Sequence, residues 1–274
     1  MALKLMYITN NPRVAQIAAS AGVDRLFVDM EVLGKAERQG GMNTVQSHHV
    51  PGDIAALREA VGPGVEIMAR TDPMNPGLPE QIEESIHNGA DVIMLPMWRT
   101  ADDLRRLVDM VGGRALTMPL LETPEAVENL NEALTVPGID QMHIGLNDLH
   151  LGYHRKFMFE LLADGTVEKL CRQIREAGIP YGFGGVGRPG KGTLPAEYIL
   201  GEHVRLGSSF VILSRSFCNI NSISDYAEME LLFQNGVRDI RSVLREDATW
   251  TKEQLEANRQ KVVERVNQIV GYDL

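Results

Sequence analysis

Two carboxylates, Glu122 and Asp148, follow neighbouring apolar segments of the chain and have the chemistry to bind one divalent cation. Mg²⁺ and Mn²⁺ prefer carboxylate oxygens, and such an ion keeps ligand positions open for a chelating substrate. The two cysteines, Cys171 and Cys218, form no CxxC motif that would favour a softer metal. Each carboxylate also has a structural explanation, because acidic residues are common at helix starts and in turns.

Further polar groups follow other apolar segments, in positions that the pattern of helices and strands does not require. They are Asp29, Glu31, Arg70, the glycine-rich turn 184–187 and the polar stretch 214–216. An arginine such as Arg70, taken by itself, is more often a salt-bridging residue than a catalytic one. The glycine-rich turn either binds a phosphate through backbone N–H groups or is a tight turn that leaves room for a substrate.

The elements that must position these groups alternate regularly along the chain. Short segments rich in β-branched residues predict strands, and the segments between them show helical periodicity. We predict eight strands, at residues 3–9, 25–30, 65–70, 91–96, 115–121, 139–144, 180–183 and 209–213. Helices are predicted at 51–61, 79–88 and 100–111, and a further helix begins at Pro124 with Thr123 as its N-cap.

Eight such alternations predict an α/β fold, a (β/α)₈ TIM barrel that forms a single domain over residues 1–274. The alternative is an open doubly wound sheet, but no GxGxxG motif follows the first strand. Residues 225–247 are predicted as the eighth helix. An additional amphipathic helix, 251–269, lies in a C-terminal helical extension at 250–274 and either caps the barrel or docks on a neighbouring subunit. In such a barrel the C-terminal strand ends converge, which would bring the polar groups together.

The composition excludes several classes of protein. The chain has 37 acidic and 27 basic residues and a formal net charge of −10, which disfavours nucleic acid and anionic membranes as partners. No apolar segment approaches the roughly 20 residues that a membrane span needs. The N-terminal segment lacks the apolar stretch of a signal peptide, and two isolated thiols make no disulfide framework. We therefore expect a soluble, cytoplasmic protein.

Three longer motifs contain or flank the two carboxylates. They are Leu120-Leu121-Glu122-Thr123-Pro124-Glu125-Ala126-Val127, Val136-Pro137-Gly138-Ile139-Asp140 and Gly145-Leu146-Asn147-Asp148-Leu149. Supporting stretches are residues 27–31, 69–70 and 89–97. Together they resemble the metal-dependent (class II) pyruvate aldolases, the family of 4-hydroxy-2-oxoheptanedioate aldolase and the citrate lyase β subunit. The similarity extends over roughly residues 3–217, and the chain is identified as a divergent member.

The resemblance implies a homo-oligomeric barrel, a trimer or hexamer, with Mg²⁺, Mn²⁺ or Co²⁺ bound by Glu122 and Asp148. A 2-oxo acid would chelate this ion, and its carboxylate would accept N–H bonds from the loop that contains Gly145 and Asn147. Arg70 matches the arginine that stabilises the enolate oxygen in the family. A metal ion and a guanidinium group on one oxygen lower the free energy of the enolate.

The chain departs from the family where protons are moved. The family's strand-two motif ends in a histidine that an aspartate supports, whereas the matching positions here are Val32 and His87. The candidates for the proton carrier are Glu31, His48, His49 and metal-bound water. His150 and His154 are also expected near the mouth of the barrel, whereas His143 and His203 are expected to be structural.

The loop after the second strand is unusually long and polar, and we expect it to lie over the mouth of the barrel. It contains Lys35 and Arg38, which would bind a polyhydroxylated or anionic partner such as a sugar-derived aldehyde. The loop between strands four and five, in contrast, is shortened to residues 98–113.

The function that the sequence favours is a carbon–carbon lyase or aldolase that acts on a pyruvate-type 2-oxo acid, with an aldehyde as partner, through a divalent-metal-stabilised enolate. A 2-oxo acid decarboxylase would use the same enolate, and a citrate-lyase-like enzyme would act on an acyl-CoA thioester. Outside the enzymes, the alternative is a barrel that has lost catalysis and is used for binding or assembly.

Overall fold

The computed structural model describes residues 3–35, 47–214, 216–219, 223 and 225–271. Its centre is a closed barrel of eight parallel strands in sequential order, in which the last strand pairs with the first. The strands are β1 Lys4–Ile8, β2 Arg25–Asp29, β3 Glu66–Arg70, β4 Val92–Leu95, β5 Leu116–Leu121, β6 Met142–Ile144, β7 Tyr181–Val186 and β8 Phe210–Leu213. The predicted eight-stranded parallel barrel is thus confirmed.

Helices surround the barrel and connect its strands. The described helices are α1 Pro12–Ser20, α2 Pro51–Val61, α3 Leu78–His87, α4 Ala101–Val111, α5 Pro124–Glu128, α6 Leu130–Ala133, α7 Leu146–Gly152, α8 Glu160–Ala163, α9 Thr166–Glu176, α10 Ala196–Leu206, α11 Tyr226–Asp247 and α12 Lys252–Val270. A short 3₁₀ turn, Gly62–Gly64, follows α2. Among the described helices, none is both long enough and apolar enough to cross a membrane.

The start of α5 fixes the chain directly beside a candidate ligand. The hydroxyl of Thr123 accepts the N–H of Ala126 at 3.1 Å, and Pro124 occupies the first helical position. A side-chain cap satisfies one of the free N–H groups of a first turn, and proline is favoured there because its φ is already helical. Since Glu122 precedes the cap, the cap also fixes the point at which this carboxylate leaves β5.

The interior of the barrel is a closed apolar layer below the mouth. It consists of Met6, Phe27, Met68, Val92, Met94, Met118, Leu120 and Phe210, and a second layer packs between strands and helices. Arg25 lies in this interior with its Nη1 donating to Gln141 Oε1 at 2.9 Å and its Nη2 to Glu66 Oε2 at 2.6 Å. Because side chains fill the barrel, any site is restricted to its C-terminal end.

The C-terminal helix α12 packs on the barrel's own helices α10 and α8. Val262 and Val266 are buried as predicted for its apolar side, while Leu255, Val263 and Ile269 are half-buried. Asn258 is buried among them and donates from Nδ2 to the Tyr198 carbonyl at 3.0 Å. The helix therefore covers the outside of the barrel of its own chain, which is one of the two roles predicted for it.

Candidate active site

A cavity of about 370 Å³ opens at the C-terminal end of the barrel. The cavity is lined by ten of the residues selected from the sequence: Asp29, Lys35, Arg70, Glu122, Gly145, Asn147, Asp148, Gly184, Gly185 and Ser214. Glu31 lies behind two of them, and His48 and His49 do not line the cavity. Arg38 lies outside the described residues. The convergence of strand ends in a parallel barrel thus brings most of the candidate groups to one place.

Glu122 and Asp148 are both buried at the edge of this cavity, where they follow β5 and β6. Burial raises the pKa of Glu122 well above its usual range, and the charges of Asp148 and Glu31 raise it further. Arg70 and the Met97 N–H oppose this increase in the pKa without cancelling it. Two like charges held in a poorly solvated place attract a cation, because a cation removes their mutual repulsion.

Gly145 is the position at which the chain passes closest to Glu122. A Cβ atom there would lie 2.7 Å from Glu122 Oε2 and 2.9 Å from Glu122 Cβ, so a larger residue would displace the carboxylate. The Gly145 N–H donates to the Leu121 carbonyl at 3.0 Å. That N–H is therefore occupied by the barrel, and the binding of a substrate carboxylate by the loop that contains Gly145 and Asn147 stays a prediction. Gly145 leaves space for Glu122, and Asn147 lines the cavity beside it.

On the opposite side of the cavity, Asp29 forms ion pairs with two positively charged side chains, Arg70 and Lys35. Its Oδ1 accepts from Arg70 Nε at 2.8 Å, and its Oδ2 accepts from Arg70 Nη2 at 2.9 Å and from Lys35 Nζ at 2.6 Å. Burial alone would raise the pKa of Asp29, but Arg70 and Lys35 hold the pKa of this carboxyl well below its usual range. Asp29 is therefore ionised, and it fixes the Arg70 guanidinium in a bidentate pair.

Glu31 is a second carboxylate behind the same two cations. Its Oε2 lies 3.5 Å from Arg70 Nε and 3.7 Å from Lys35 Nζ. Burial would lower the pKa of Arg70, but Asp29 and Glu31 raise this pKa above its usual range. Arg70 thus remains a cation at every pH at which the protein is folded, as stabilisation of an oxyanion requires.

The structure does not bring the two loop histidines to the cavity. His49 Nδ1 accepts the backbone N–H of Asp29 at 2.9 Å, so this nitrogen is unprotonated. Burial lowers the pKa of His49, although the charges of Asp29 and Asp53 oppose this effect. His48 is exposed. His49 thereby supports the end of β2 instead of facing a substrate.

The expectation for His143 needs correction. His143, expected to be structural, lines the cavity from β6, whereas His150 bonds the carbonyls of its own helix and His154 is exposed. His143 Nε2 donates to the Gly184 carbonyl at 3.1 Å, and its buried Nδ1 has no partner among the described residues. Burial lowers the pKa of His143 to about 4. Side chains alternate between the two faces of β6, so the sequence shows which residues share a face. It does not show which of the two faces points into the barrel.

The comparisons with known proteins agree with this architecture. The family model described as HpcH/HpaI aldolase/citrate lyase matches residues 4–183. A 2-keto-3-deoxy-L-rhamnonate aldolase of Shigella dysenteriae is 28% identical in an alignment 204 positions long, which covers 62% of this chain and 69% of that protein.

Solved structures show the same fold at lower identity. A family protein from Burkholderia cenocepacia matches with a TM-score of 0.63 and 16% identity, over 89% of this chain and 93% of that one. An HpcH/HpaI aldolase from Desulfitobacterium hafniense gives 0.59 and 18%, over 87% and 93%. The matched family segment contains Arg70, Glu122 and Asp148 together with the strands that position them. This chain belongs to the HpcH/HpaI aldolase/citrate lyase family.

Proposed function

We propose that the protein is a carbon–carbon lyase of the aldolase type, which cleaves a 4-hydroxy-2-oxo acid to a pyruvate-type 2-oxo acid and an aldehyde, and catalyses the reverse condensation. The observation that supports this most directly is that Arg70, Glu122 and Asp148 line one cavity. Glu122 and Asp148 supply anionic oxygens, while Arg70 supplies a fixed positive charge. This is the arrangement that an enolate intermediate needs.

The donor set fits a hard divalent cation such as Mg²⁺, Mn²⁺ or Co²⁺. Asp29 and Glu31 form ion pairs with Arg70 and Lys35, whereas burial and the nearby charge of Asp148 disfavour the charge of Glu122. Among the described residues no group of three or more His, Cys, Asp or Glu side chains is arranged to hold a metal. Glu122 and Asp148 would be the two protein ligands. Mg²⁺ is often bound through one or two carboxylates, with water and substrate completing its shell. Bound there, the ion would act as a Lewis acid toward the 2-oxo acid.

Arg70 would hold the oxygen at C2 of the substrate. When the C3–C4 bond breaks, its electron pair passes to C3 and negative charge develops on the C2 oxygen. The guanidinium is already aimed by its two bonds to Asp29, so no reorganisation is needed when this charge appears. Arg70→Lys would keep the charge but lose the bidentate pair, and it is expected to be a poor substitute.

The partner aldehyde is proposed to be derived from a sugar. The Shigella relative is named for a 2-keto-3-deoxy sugar acid, which is a polyhydroxylated 2-oxo acid. Lys35 at the cavity, and Arg38 nearby in sequence, remain the candidates for binding this part of the substrate. The homo-oligomer and the cytoplasmic location stay predictions from the sequence.

The first test follows the enolate by proton NMR of pyruvate in D₂O, with Mg²⁺ or with EDTA. We expect the methyl signal to disappear only when both metal and wild-type protein are present, and to persist with the Arg70→Ala variant. The second test offers 2-keto-3-deoxy-L-rhamnonate and related 4-hydroxy-2-oxo acids, with pyruvate release as the readout. Folded wild-type protein that neither exchanges the methyl protons nor releases pyruvate would contradict the proposal.

A further inference from the structure

Lys35 lies in the cavity next to Arg70. In the reaction proposed above, the Lys35 side chain has no role other than substrate binding. We propose that the Lys35 ammonium group donates a hydrogen bond to the C4 oxygen of the substrate and stabilises that oxygen as an alkoxide. This inference rests on the proposed function and adds a catalytic residue to it.

The position of Lys35 is fixed by contacts that leave it facing the cavity. The residue is 4% exposed, it lines the cavity, and its Nζ lies 2.6 Å from Asp29 Oδ2. An ammonium group has three donors. Asp29 takes one of them, and Glu31 Oε2, at 3.7 Å, is at the distance of an ion pair. As far as the described residues are concerned, donor capacity therefore remains for a substrate oxygen.

Asp29 places the two cations side by side. Its Oδ2 accepts from both Arg70 Nη2 and Lys35 Nζ, so two positively charged donors flank a single oxygen. A 4-hydroxy-2-oxo acid has a matching pair of oxygens, because only C3 separates the carbon of its 2-oxo group from the carbon of its 4-hydroxyl group. If Arg70 holds the oxygen at C2, Lys35 is the neighbouring donor for the oxygen at C4.

The other candidates for this position are less suitable. His49 Nδ1 is occupied by the Asp29 N–H, and His48 is exposed. Neither of them lines the cavity. Glu31 is an anion that already faces the two cations, and an anion would repel an alkoxide. Among the described candidates, Lys35 combines positive charge, burial and access to the cavity.

In the cleavage direction, the C4 hydroxyl gives its proton to solvent and becomes an alkoxide, which Lys35 holds. The C3–C4 bond breaks, its electron pair passes to C3, and the C4 oxygen becomes the carbonyl oxygen of the aldehyde. The enolate then takes one proton from solvent at C3 to give the 2-oxo acid, so no net proton is consumed or released. Lys35 remains an ammonium group throughout, as its pair with Asp29 favours.

The test compares two reactions of the same site. Pyruvate has no C4, so its methyl exchange in D₂O does not need a donor at that position, whereas cleavage of a 4-hydroxy-2-oxo acid does. Lys35→Met keeps the apolar stem but removes the ammonium group. We expect kcat for cleavage to fall about 100- to 1,000-fold, as removal of one oxyanion donor does. Exchange should fall much less than cleavage, because pyruvate has no C4 oxygen for Lys35 to bind. Lys252→Ala, an exposed position on α12, is the matched control for the loss of a lysine.

A second variant distinguishes a missing donor from a damaged fold. Lys35→Ala leaves space for a small amine, and added ethylammonium should restore cleavage in this variant and leave exchange unchanged. Cleavage at the wild-type rate in both variants would overturn the role of Lys35. An equal loss of cleavage and exchange, with no restoration by ethylammonium, would show that Lys35 only positions Asp29 and Arg70. If wild-type protein catalyses neither reaction, the proposed function itself fails, and the inference fails with it.

Discussion

The backbone N–H of Met97 donates a hydrogen bond to Glu122 Oε1 at 3.1 Å, and Met97 has a left-handed conformation with φ of 53°. This conformation is uncommon for a residue other than glycine, and sparsely populated backbone regions of this kind cost on the order of 1–3 kcal/mol. Met97 comes two residues after the end of β4. The β4 end thus contributes a backbone donor that orients a candidate metal ligand, although it supplies none of the charged groups of the site.

Substitution of Met97 should therefore affect the site through the backbone. Met97→Val introduces a β-branched residue, which strongly disfavours positive φ, so we expect the N–H to turn away from Glu122. Metal affinity should fall about 10- to 100-fold, as it does when a group that orients a ligand is lost. Met97→Gly, which reaches the same φ freely, is the matched control and should retain most of the affinity. Titration calorimetry with Mn²⁺ measures the metal affinity of both variants. Equal losses of affinity in the two would show that the Met97 side chain, and not its backbone conformation, supports metal binding.

Glu122→Gln should separate stability from metal binding. Without metal, burial and Asp148 disfavour the Glu122 charge, so the neutral amide is expected to unfold at the same or a higher denaturant concentration. With metal at 100 times its Kd, wild-type protein should gain about 2.7 kcal/mol of unfolding free energy, and the variant much less. Urea unfolding of wild-type protein and of the variant, each with EDTA and with Mg²⁺, gives the four unfolding free energies that are compared. Equal stabilisation of both proteins by Mg²⁺ would place the metal elsewhere.

Gly145→Ala tests the close packing beside Glu122. The added Cβ would lie 2.7 Å from Glu122 Oε2, so the carboxylate must move. We expect metal affinity to fall about 10- to 100-fold and cleavage to fall with it. Gly52→Ala is the control, because a Cβ at Gly52 has no atom within 4 Å, and it should leave both quantities unchanged. Wild-type metal affinity in Gly145→Ala would mean that Glu122 does not bind the metal in this conformation.

His203 should make the protein sensitive to mild acid. It stacks on Phe183 with ring centroids 3.9 Å apart, and burial, followed by the nearby His143, lowers the pKa of His203 to about 3. The unfolded chain takes up this proton near pH 6.5, so the contribution of the neutral ring to stability is present above that pH. It is progressively lost as the pH falls toward 3.

The measurement is the change in unfolding free energy between pH 8 and pH 5, in EDTA. Wild-type protein should lose about 2 kcal/mol more over this interval than His203→Phe, which keeps an aromatic ring against Phe183 but cannot be protonated. Loss of the hydrogen bond between His203 Nδ1 and Ser208 affects both pH values alike and cancels in the difference. Identical pH dependence of the two proteins would show that folding does not shift the pKa of His203.

Much of the architecture follows from local patterns. Each strand is a short apolar segment between helical ones, and eight of them in sequence close into a barrel. Pro51 and Thr123 mark helix starts because a fixed φ and a side-chain acceptor favour those positions by themselves. The position of Arg70, Glu122 and Asp148 at one cavity could be predicted in the same way, since parallel strands in a barrel all end on the same side.

The tertiary structure decided which of the remaining polar groups take part. The sequence predicts His48 and His49 as candidate proton carriers and Lys35 as a binding residue. In the structure Lys35 pairs with Asp29 and lines the cavity, whereas the two histidines do not line it. His143 faces inward because of the register of β6 in the closed barrel, and Met97 reaches Glu122 because the chain turns sharply after β4. The reason is physical: local periodicity determines where a segment is helical, extended or buried, whereas contacts between side chains distant in sequence depend on strand register and loop path, which only the assembled barrel fixes.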